Sequence, residues 1–444
     1  MCTIGAMRIV IVTIGTRGDV QPYVALAQGL RRAGHAVVIC THPTFREFIE
    51  SHAINFAPLA GDIHKLLTSD AGRRLLAQHN PLAAIRQLQA IAAPLLCQVM
   101  ADIITATAGA DLILGSTLGY LNAVTAAQVH GVPLVLAGLQ PFTPTAAFPS
   151  PLLAPSRHHW PGVGVYNRLT HHASYRLLQL VSARLANRCH RELTGRAPLR
   201  YTDVFGELIA QRRPVIYGIS EQLLPRPADY SAQIRFTGFW FLDRTPGWQP
   251  PPALADFLAA GAAPVYIGFG SMSDRNPAQL AQIAVAALQR SGQRGILATG
   301  WEGVQASDLP ANILRIDAAP HDWLFPQVAA VVHHGGVGTT AAALRAGAPQ
   351  IVIPFSADQP LWAEMVSRRG VGTRPIPRRR LTATRLSAAI SEAVHNPSLR
   401  IRTRQAAATV CQEDGVGEAV MLVNTGFAGC ISFPGRIAFD SNQG

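Results

Sequence analysis

Apolar positions along the chain alternate between short unbroken runs and longer stretches with three- and four-residue spacing. Residues 8–14 (RIVIVTI) are a continuous apolar run of the kind buried on both faces of a parallel sheet. The turn Gly15-Thr16-Arg17-Gly18-Asp19 follows. Residues 20–33 then set Val24, Leu26, Ala27 and Leu30 at helical spacing and stop at Gly34, a residue suited to a helix C-terminus. Residues 35–40 read as a second strand, and 111–115 and 133–137 repeat the strand pattern, each after a helical stretch. This alternation predicts a doubly wound α/β sheet. Residues 141–165, rich in proline, read as a long loop.

A Pro-, Trp- and Gly-rich break falls near residues 240–252, and the strand-turn-helix theme then restarts. Strands are predicted at 264–269, 295–298, 313–316, 329–332 and 350–354, with helices at 277–289, 338–346 and 358–368. From about residue 427 periodicity is lost. The expected organisation is an N-terminal domain over 1–240, a linker over 241–262, a second domain over 263–426 and a tail over 427–444. Two such halves would face each other across a cleft at the carboxyl ends of their strands, where ligands bind in this architecture.

Composition narrows the classes. The chain has 444 residues, 48% hydrophobic and 14% charged, which excludes bulk disorder. The formal net charge of +12 is carried almost wholly by arginine. The densest basic cluster, Arg378-Arg379-Arg380, is too short for a nucleic-acid surface, so no such partner is expected. The basic balance leaves peripheral membrane contact open. Residues 112–156 hold no Asp, Glu, Lys or Arg, but Pro, Gly, Asn, Gln and His interrupt them; they read as buried core or an apolar cleft, not a span. The six cysteines are scattered without a CxxC pair or zinc spacing. With no secretory signal, this reads as a reduced, cytoplasmic chain without a structural metal. Nothing in the sequence speaks to oligomeric state.

Candidate chemistry begins at residues 331–340 (VVHHGGVGTT). A strand delivers two histidines, Gly335-Gly336 turn the chain, and small residues open a helix whose free N–H groups can hold an anion. His334 can add a donor, and Thr339 or Thr340 a hydroxyl. This is no Walker A loop, because GKS or GKT is missing. Further on, Asp358 and Gln359 end a strand where an acceptor and an amide together can grip a sugar hydroxyl. Asp358 reads equally as a helix N-cap.

The stretch 320–372 (PHDWLFPQVAAVVHHGGVGTTAAALRAGAPQIVIPFSADQPLWAEMVSRRGVG) resembles the donor-binding signature of nucleotide-sugar glycosyltransferases with the two-Rossmann GT-B fold. Residues 15–37 (GTRGDVQPYVALAQGLRRAGHAV) and 268–272 (GFGSM) resemble the same branch, nearest the sterol 3-β-glucosyltransferases and glycopeptide-antibiotic glycosyltransferases. The resemblance implies a GT-B pair of doubly wound domains. It puts the donor diphosphate on Ser271, His334, Gly336, Gly338 and Thr339, with Arg17 reaching across, the sugar on Asp358 and Gln359, and the nucleoside near His321 and Trp323. Asp19 matches the acidic residue that serves as general base in the antibiotic branch, and by its position it also reads as the N-cap of the following helix.

Two departures matter. Plant and animal members carry a histidine base where this chain has Asp19, and plant members put a glutamate on the donor ribose where Ala342 stands. That opens the choice between UDP and dTDP donors, with UDP favoured. No Asp-x-Asp pair exists for a metal-bridged diphosphate, so the expectation is no metal and no cofactor beyond the nucleotide-sugar co-substrate. The expected reaction is inverting transfer of a hexose, glucose from UDP-glucose in the favoured case, to a hydroxyl of a small lipophilic acceptor such as a sterol or polyketide. The alternatives are a dTDP-deoxysugar transferase and a noncatalytic nucleotide-sugar binder. A pyridoxal-dependent phosphorylase is excluded because the C-terminal half has no lysine.

Overall fold

The computed structural model describes residues 5–61, 95–152, 160–196, 213–245, 247–270, 277–298 and 309–425. They form two wholly parallel sheets. The first holds β1 (Arg8–Val12), β2 (Ala36–Thr41), β3 (Asn55–Pro58), β4 (Leu112–Gly115), β5 (Leu134–Gly138), β6 (Val215–Tyr217) and β7 (Ile234–Phe236) in the order β3-β2-β1-β4-β5-β6-β7. The second holds β8 (Val265–Gly268), β9 (Gly295–Ala298), β10 (Ile313–Ile316), β11 (Ala330–His333) and β12 (Gln350–Val352) in the order β10-β9-β8-β11-β12. Strands with helices on both faces lose water from both sides, so Ile9, Val10, Ile11 and Val12 are fully buried. Val10 sits in register with Val38 of β2 and Ile113 of β4. Strand order reverses between β1 and β4 and between β8 and β11, which opens a crevice at each point.

Helix α1 (Arg17–Arg32) buries Val20, Tyr23, Val24, Leu26, Ala27 and Leu30, with Asp19 in its first turn and Arg31 and Arg32 in its last, as the helix dipole favours. It starts earlier than the spacing predicts, so Asp19 lies in the first turn and is not the N-cap. The first half continues with α2 (Arg46–Glu50), α3 (95–106), α4 (Thr117–His130) and α5 (Val163–Thr194). Ser116 caps α4 by accepting from Gly119 N at 3.1 Å. The second half carries α6 (Pro252–Ala259), α7 (Pro277–Ser291), α8 (His321–Leu324), α9 (Val337–Arg345), α10 (Gln359–Arg368), α11 (Ala383–His395) and α12 (Pro397–Val410). Helix α6 forms inside the stretch read as linker, and its Leu254 is buried with Tyr266 and Phe325.

The last described helix, α13 (Gly415–Asn424), returns to the first half. Gly29 of α1 meets the Val416 side chain, and the His35 ring bonds Asn424 Oδ1 at 2.6 Å. Just before α13, Ser220 donates to Glu413 at 2.7 Å. The chain thus passes between its halves twice.

Cys97 of α3 and Cys189 of α5, 92 residues apart, are joined in a disulfide. This corrects the expectation of an all-thiol chain, because pairing between distant helices leaves no trace in local spacing. Cys40 and Cys411 are free, while Cys2 and Cys430 lie outside the described residues. No described helix is long and apolar enough to cross a membrane.

Candidate functional site

The crevice of the first sheet is lined by the turn after β1. Thr13 donates to the Asp19 carbonyl at 2.7 Å, and Thr16 gives Asp19 Oδ2 its backbone N–H at 2.8 Å and its hydroxyl at 3.0 Å. The carboxylate is therefore held by one oxygen, and Oδ1 takes neither Thr16 bond. Only glycine fits at Gly15, whose φ is 148° and where a Cβ would collide with that carboxylate. Burial in the cleft pushes the Asp19 pKa up, against the pull of its Thr16 bonds and of the Gln140 amide. Arg17 lays its guanidinium over Phe48, 4.6 Å from the ring centroid, and its Nε reaches Gln21 at 3.4 Å.

Across the cleft, β11 delivers His333 and His334 in opposite senses, as strand alternation requires. His333 is fully buried, bonded to Gln350 Oε1 at 3.0 Å and accepting from Gly335 N at 3.1 Å; it is structural. His334 stands over the start of α9. A Cβ added at Gly336 would lie 2.5 Å from His334 Nε2, so glycine is what lets the ring sit against the helix N-terminus. Burial pulls His334 down to about 4, which keeps it a neutral imidazole, and its Nδ1 has no partner among the described residues. Gly338 is exposed, with open space where a side chain would be. Thr339 is half-buried, and Thr340 donates back to Gly336 O at 2.9 Å. This arrangement offers an anion N–H groups, the positive end of a dipole and a neutral ring.

Asp358 precedes α10 and accepts from Trp362 Nε1 at 2.8 Å. Burial first, then the facing Asp19 charge, pushes its pKa up to about 6 against the Trp362 bond. Gln359 is buried, and its Oε1 accepts from Phe355 N at 2.8 Å and Ser356 N at 3.2 Å. It braces a loop in which Ala357 takes a left-handed φ of 55°.

His321 and Trp323 part company. His321 stacks on Phe325 at 4.2 Å between centroids, and its pKa falls to about 4 through burial and then the positive charge of Arg17 from the other half. Trp323, two residues along a short helix, packs on Trp248 at 5.1 Å. Ser271 lies outside the described residues. The cleft thus brings both Arg17 and His334 to His321, and Asp19 to Asp358.

One participant escapes the sequence reading. The Gln140 side chain, just beyond β5, faces both Asp19 and Asp358 and draws both carboxyl pKa values down, and Thr117 donates to its Oε1 at 3.4 Å. Its position at the carboxyl end of a strand next to the switch point was the available signal. Among the described residues no cluster of His, Cys, Asp and Glu could hold a metal ion.

Comparison with known proteins agrees with this geometry. The glycosyltransferase family 28 N-terminal domain matches residues 9–137, and the C-terminal domain of erythromycin biosynthesis protein CIII-like proteins matches residues 296–420. The chain is 35% identical over 431 residues to a sterol 3-beta-glucosyltransferase of Arabidopsis thaliana, covering 94% of this chain and 68% of that one. It is 36% identical over 427 residues to the O-mycaminosyltylonolide 6-deoxyallosyltransferase of Streptomyces fradiae, covering 94% and 97%. It spans 27–30% of the length of several fungal sterol 3-beta-glucosyltransferases. A solved calicheamicin glycosyltransferase superposes with a TM-score of 0.69 at 17% identity, over 98% of this chain and 100% of that one. Two doubly wound domains facing across a cleft define the GT-B class of transferases. The chain belongs to the glycosyltransferase family that includes these sterol glucosyltransferases and the deoxyallosyltransferase, and it is an enzyme that transfers sugar.

Proposed function

We propose that this enzyme moves a hexose, glucose from UDP-glucose in the favoured case, to a hydroxyl of a lipophilic acceptor such as a sterol or polyketide, with inversion. The observation that carries the reading is the pairing of Asp19 with Asp358 across the cleft, beside the neutral His334 at the head of α9. Asp358 and Gln359 grip the sugar, with the Gln359 amide oriented by the loop it braces. Asp19 takes the proton of the acceptor hydroxyl as that oxygen attacks the anomeric carbon. The bond from that carbon to the diphosphate breaks, and the leaving group collects its charge on the α9 N–H groups, His334 and Arg17. A pKa raised by burial makes Asp19 a stronger base than a free carboxylate. His321 lines the nucleoside side, and Trp323 shapes that pocket from behind. No metal takes part in this reading.

The Streptomyces fradiae relative, matched over nearly its full length, supports a second version with a deoxysugar donor. One experiment separates them. UDP-glucose, UDP-galactose, dTDP-glucose and dTDP-rhamnose are crossed with sterols, macrolides, flavonoids and hydroxy lipids, with and without EDTA, and products are read by mass spectrometry and anomeric NMR. A β-linked glucoside from UDP-glucose, lost in Asp19→Asn and indifferent to EDTA, is the expected result. Transfer only from dTDP donors selects the second version. A retained anomeric configuration overturns the mechanism, and tight nucleotide binding without any product means a noncatalytic binder.

A further inference from the structure

Helix α5 is built inside out. The side chains its first half turns inward are polar: Asn167, Thr170, His171 and Ser174 are all buried. They hold the segment that follows β5. Asn167 Nδ2 donates to Ala146 O at 2.8 Å, the His171 ring bonds Phe148 O at 3.1 Å, Ser150 N donates to Thr170 at 2.9 Å, and Tyr175 donates to Phe142 O. The side chains turned outward are large and apolar. Val165 is 62% exposed, Leu169 61%, Leu177 57% and Leu180 74%, with Trp160 and Tyr166 beside them. A soluble helix normally has the reverse arrangement, and so many large apolar groups on one surface mark a contact.

The outward face of α5 is basic: Glu192 is taken up by Arg188 at 2.7 Å and Asp229 by Arg168 at 3.0 Å, which leaves Arg176 and Arg184 beside the apolar side chains. Between Asp111 and Glu192 the chain has no acidic residue at all, while Arg168, Arg176, Arg184, Arg188 and Arg191 run along α5. Arg176 and Arg184 fall on the same side of the helix as Leu169 and Leu180, by three- and four-residue spacing. Two copies meeting through this face would set arginine against arginine with no carboxylate on the face to offset them. Apolar side chains flanked by arginines, with Trp and Tyr at one end, instead match an anionic lipid surface, where the stems enter the acyl boundary and the guanidiniums meet phosphates. The arginines also keep the helix from crossing the bilayer.

We propose that α5 docks the enzyme on a membrane leaflet bearing anionic headgroups, lying in the plane of the interface. The segment that α5 holds, 142–150, continues directly from β5 and Gln140. Docking therefore sets the acceptor half of the cleft beside the lipid phase. The inference needs only the surface, and stands whether or not the acceptor assignment above is correct.

The test is vesicle flotation with the purified full chain, using phosphatidylcholine alone and phosphatidylcholine with about one third phosphatidylglycerol. The expected result is binding to the anionic vesicles, weakened by high salt, with Leu169→Glu/Leu180→Glu reducing it ~10-fold or more. Arg176→Glu/Arg184→Glu should remove most of the anionic preference. Both variants should keep the circular dichroism and nucleoside-diphosphate affinity of the parent, which separates a lost surface from a lost fold. Absence of vesicle binding by the parent overturns the proposal, as does binding that neither variant changes. So does sedimentation showing a dimer that Leu169→Glu/Leu180→Glu dissociates, since α5 would then be an interface between copies.

Discussion

The two switch points of this molecule have the same topology and different chemistry. The crevice between β1 and β4 presents charged side chains, Arg17 and Asp19, on a turn stiffened by Thr13 and Thr16. The crevice between β8 and β11 presents backbone: glycines, the open N-terminus of α9 and a histidine kept uncharged by burial. The first can move a proton; the second can hold an anion without committing a charge. A doubly wound sheet supplies the place in both cases, and the turn after the central strand decides what is done there.

That division of labour sets the order of expected effects. The largest belongs to the first crevice: Asp19→Asn should lower kcat by ~10²–10⁴. Nucleoside-diphosphate affinity, measured by calorimetry, should be unchanged, and a matching loss of affinity would assign Asp19 to binding instead. The rate of the parent should rise with pH as Asp19 deprotonates, on an acid limb displaced above the usual carboxylate range. The next effect belongs to the second crevice. His334→Ala should weaken nucleoside-diphosphate binding by ~10-fold, about 1.4 kcal/mol, and equal affinity in both proteins removes His334 from the diphosphate site.

A smaller change sharpens the point further. Gly338→Ala meets no atom of the protein and lies in a helix, so it should stabilise the fold by about 0.5–1 kcal/mol. If phosphate approaches there, the same methyl group should weaken donor binding several-fold. Unchanged affinity would clear Gly338 of any ligand contact. The last effect is on stability alone. Burial and Asp19 raise the Asp358 pKa from 3.8 to about 6, so the folded state holds this proton more tightly than the unfolded chain does. The group's contribution is greatest below about pH 4 and falls as pH rises through about 6. Asp358→Asn, which can still accept from Trp362, should therefore gain on the parent over that range and melt a few degrees higher at pH 7.5, about 1–2 kcal/mol. Identical melting curves at pH 4 and 7.5 would mean the carboxylate is not strained by its site.

Much of this was legible in the sequence because central parallel strands are apolar without interruption. Residues 295–298 and 313–316 read as strands to the residue, and β1, β2, β4 and β5 within two. The short edge strand β3, with only partly buried side chains, and the three-residue β6 and β7 carry too few positions for a pattern. Helix α5 goes unread for a stronger reason, since in its first half polar residues face in and apolar ones out, and periodicity reports contrast without saying which side is the core. Around the cleft, the strand-turn-helix pattern drew attention to His334 and Asp358, and the family resemblance drew it to Asp19. Gln140 stands alone in an apolar segment and acquires meaning only when β5 brings it beside two carboxylates. The pairing of Cys97 with Cys189 is of the same kind, a relation between helices far apart in the chain.

The return of α13 to α1 bears on how such enzymes can be recombined. A chimera that takes its acceptor half from one relative and its donor half from another is naturally cut once, near residue 245. Here that single junction would leave Val416 and Val420 of the incoming chain pressed on a foreign Gly29, and Asn424 on a foreign His35. A sound exchange is an insertion: the donor half is transplanted as an internal cassette ending near residue 412, and α13 stays with the parent whose first helix it packs against.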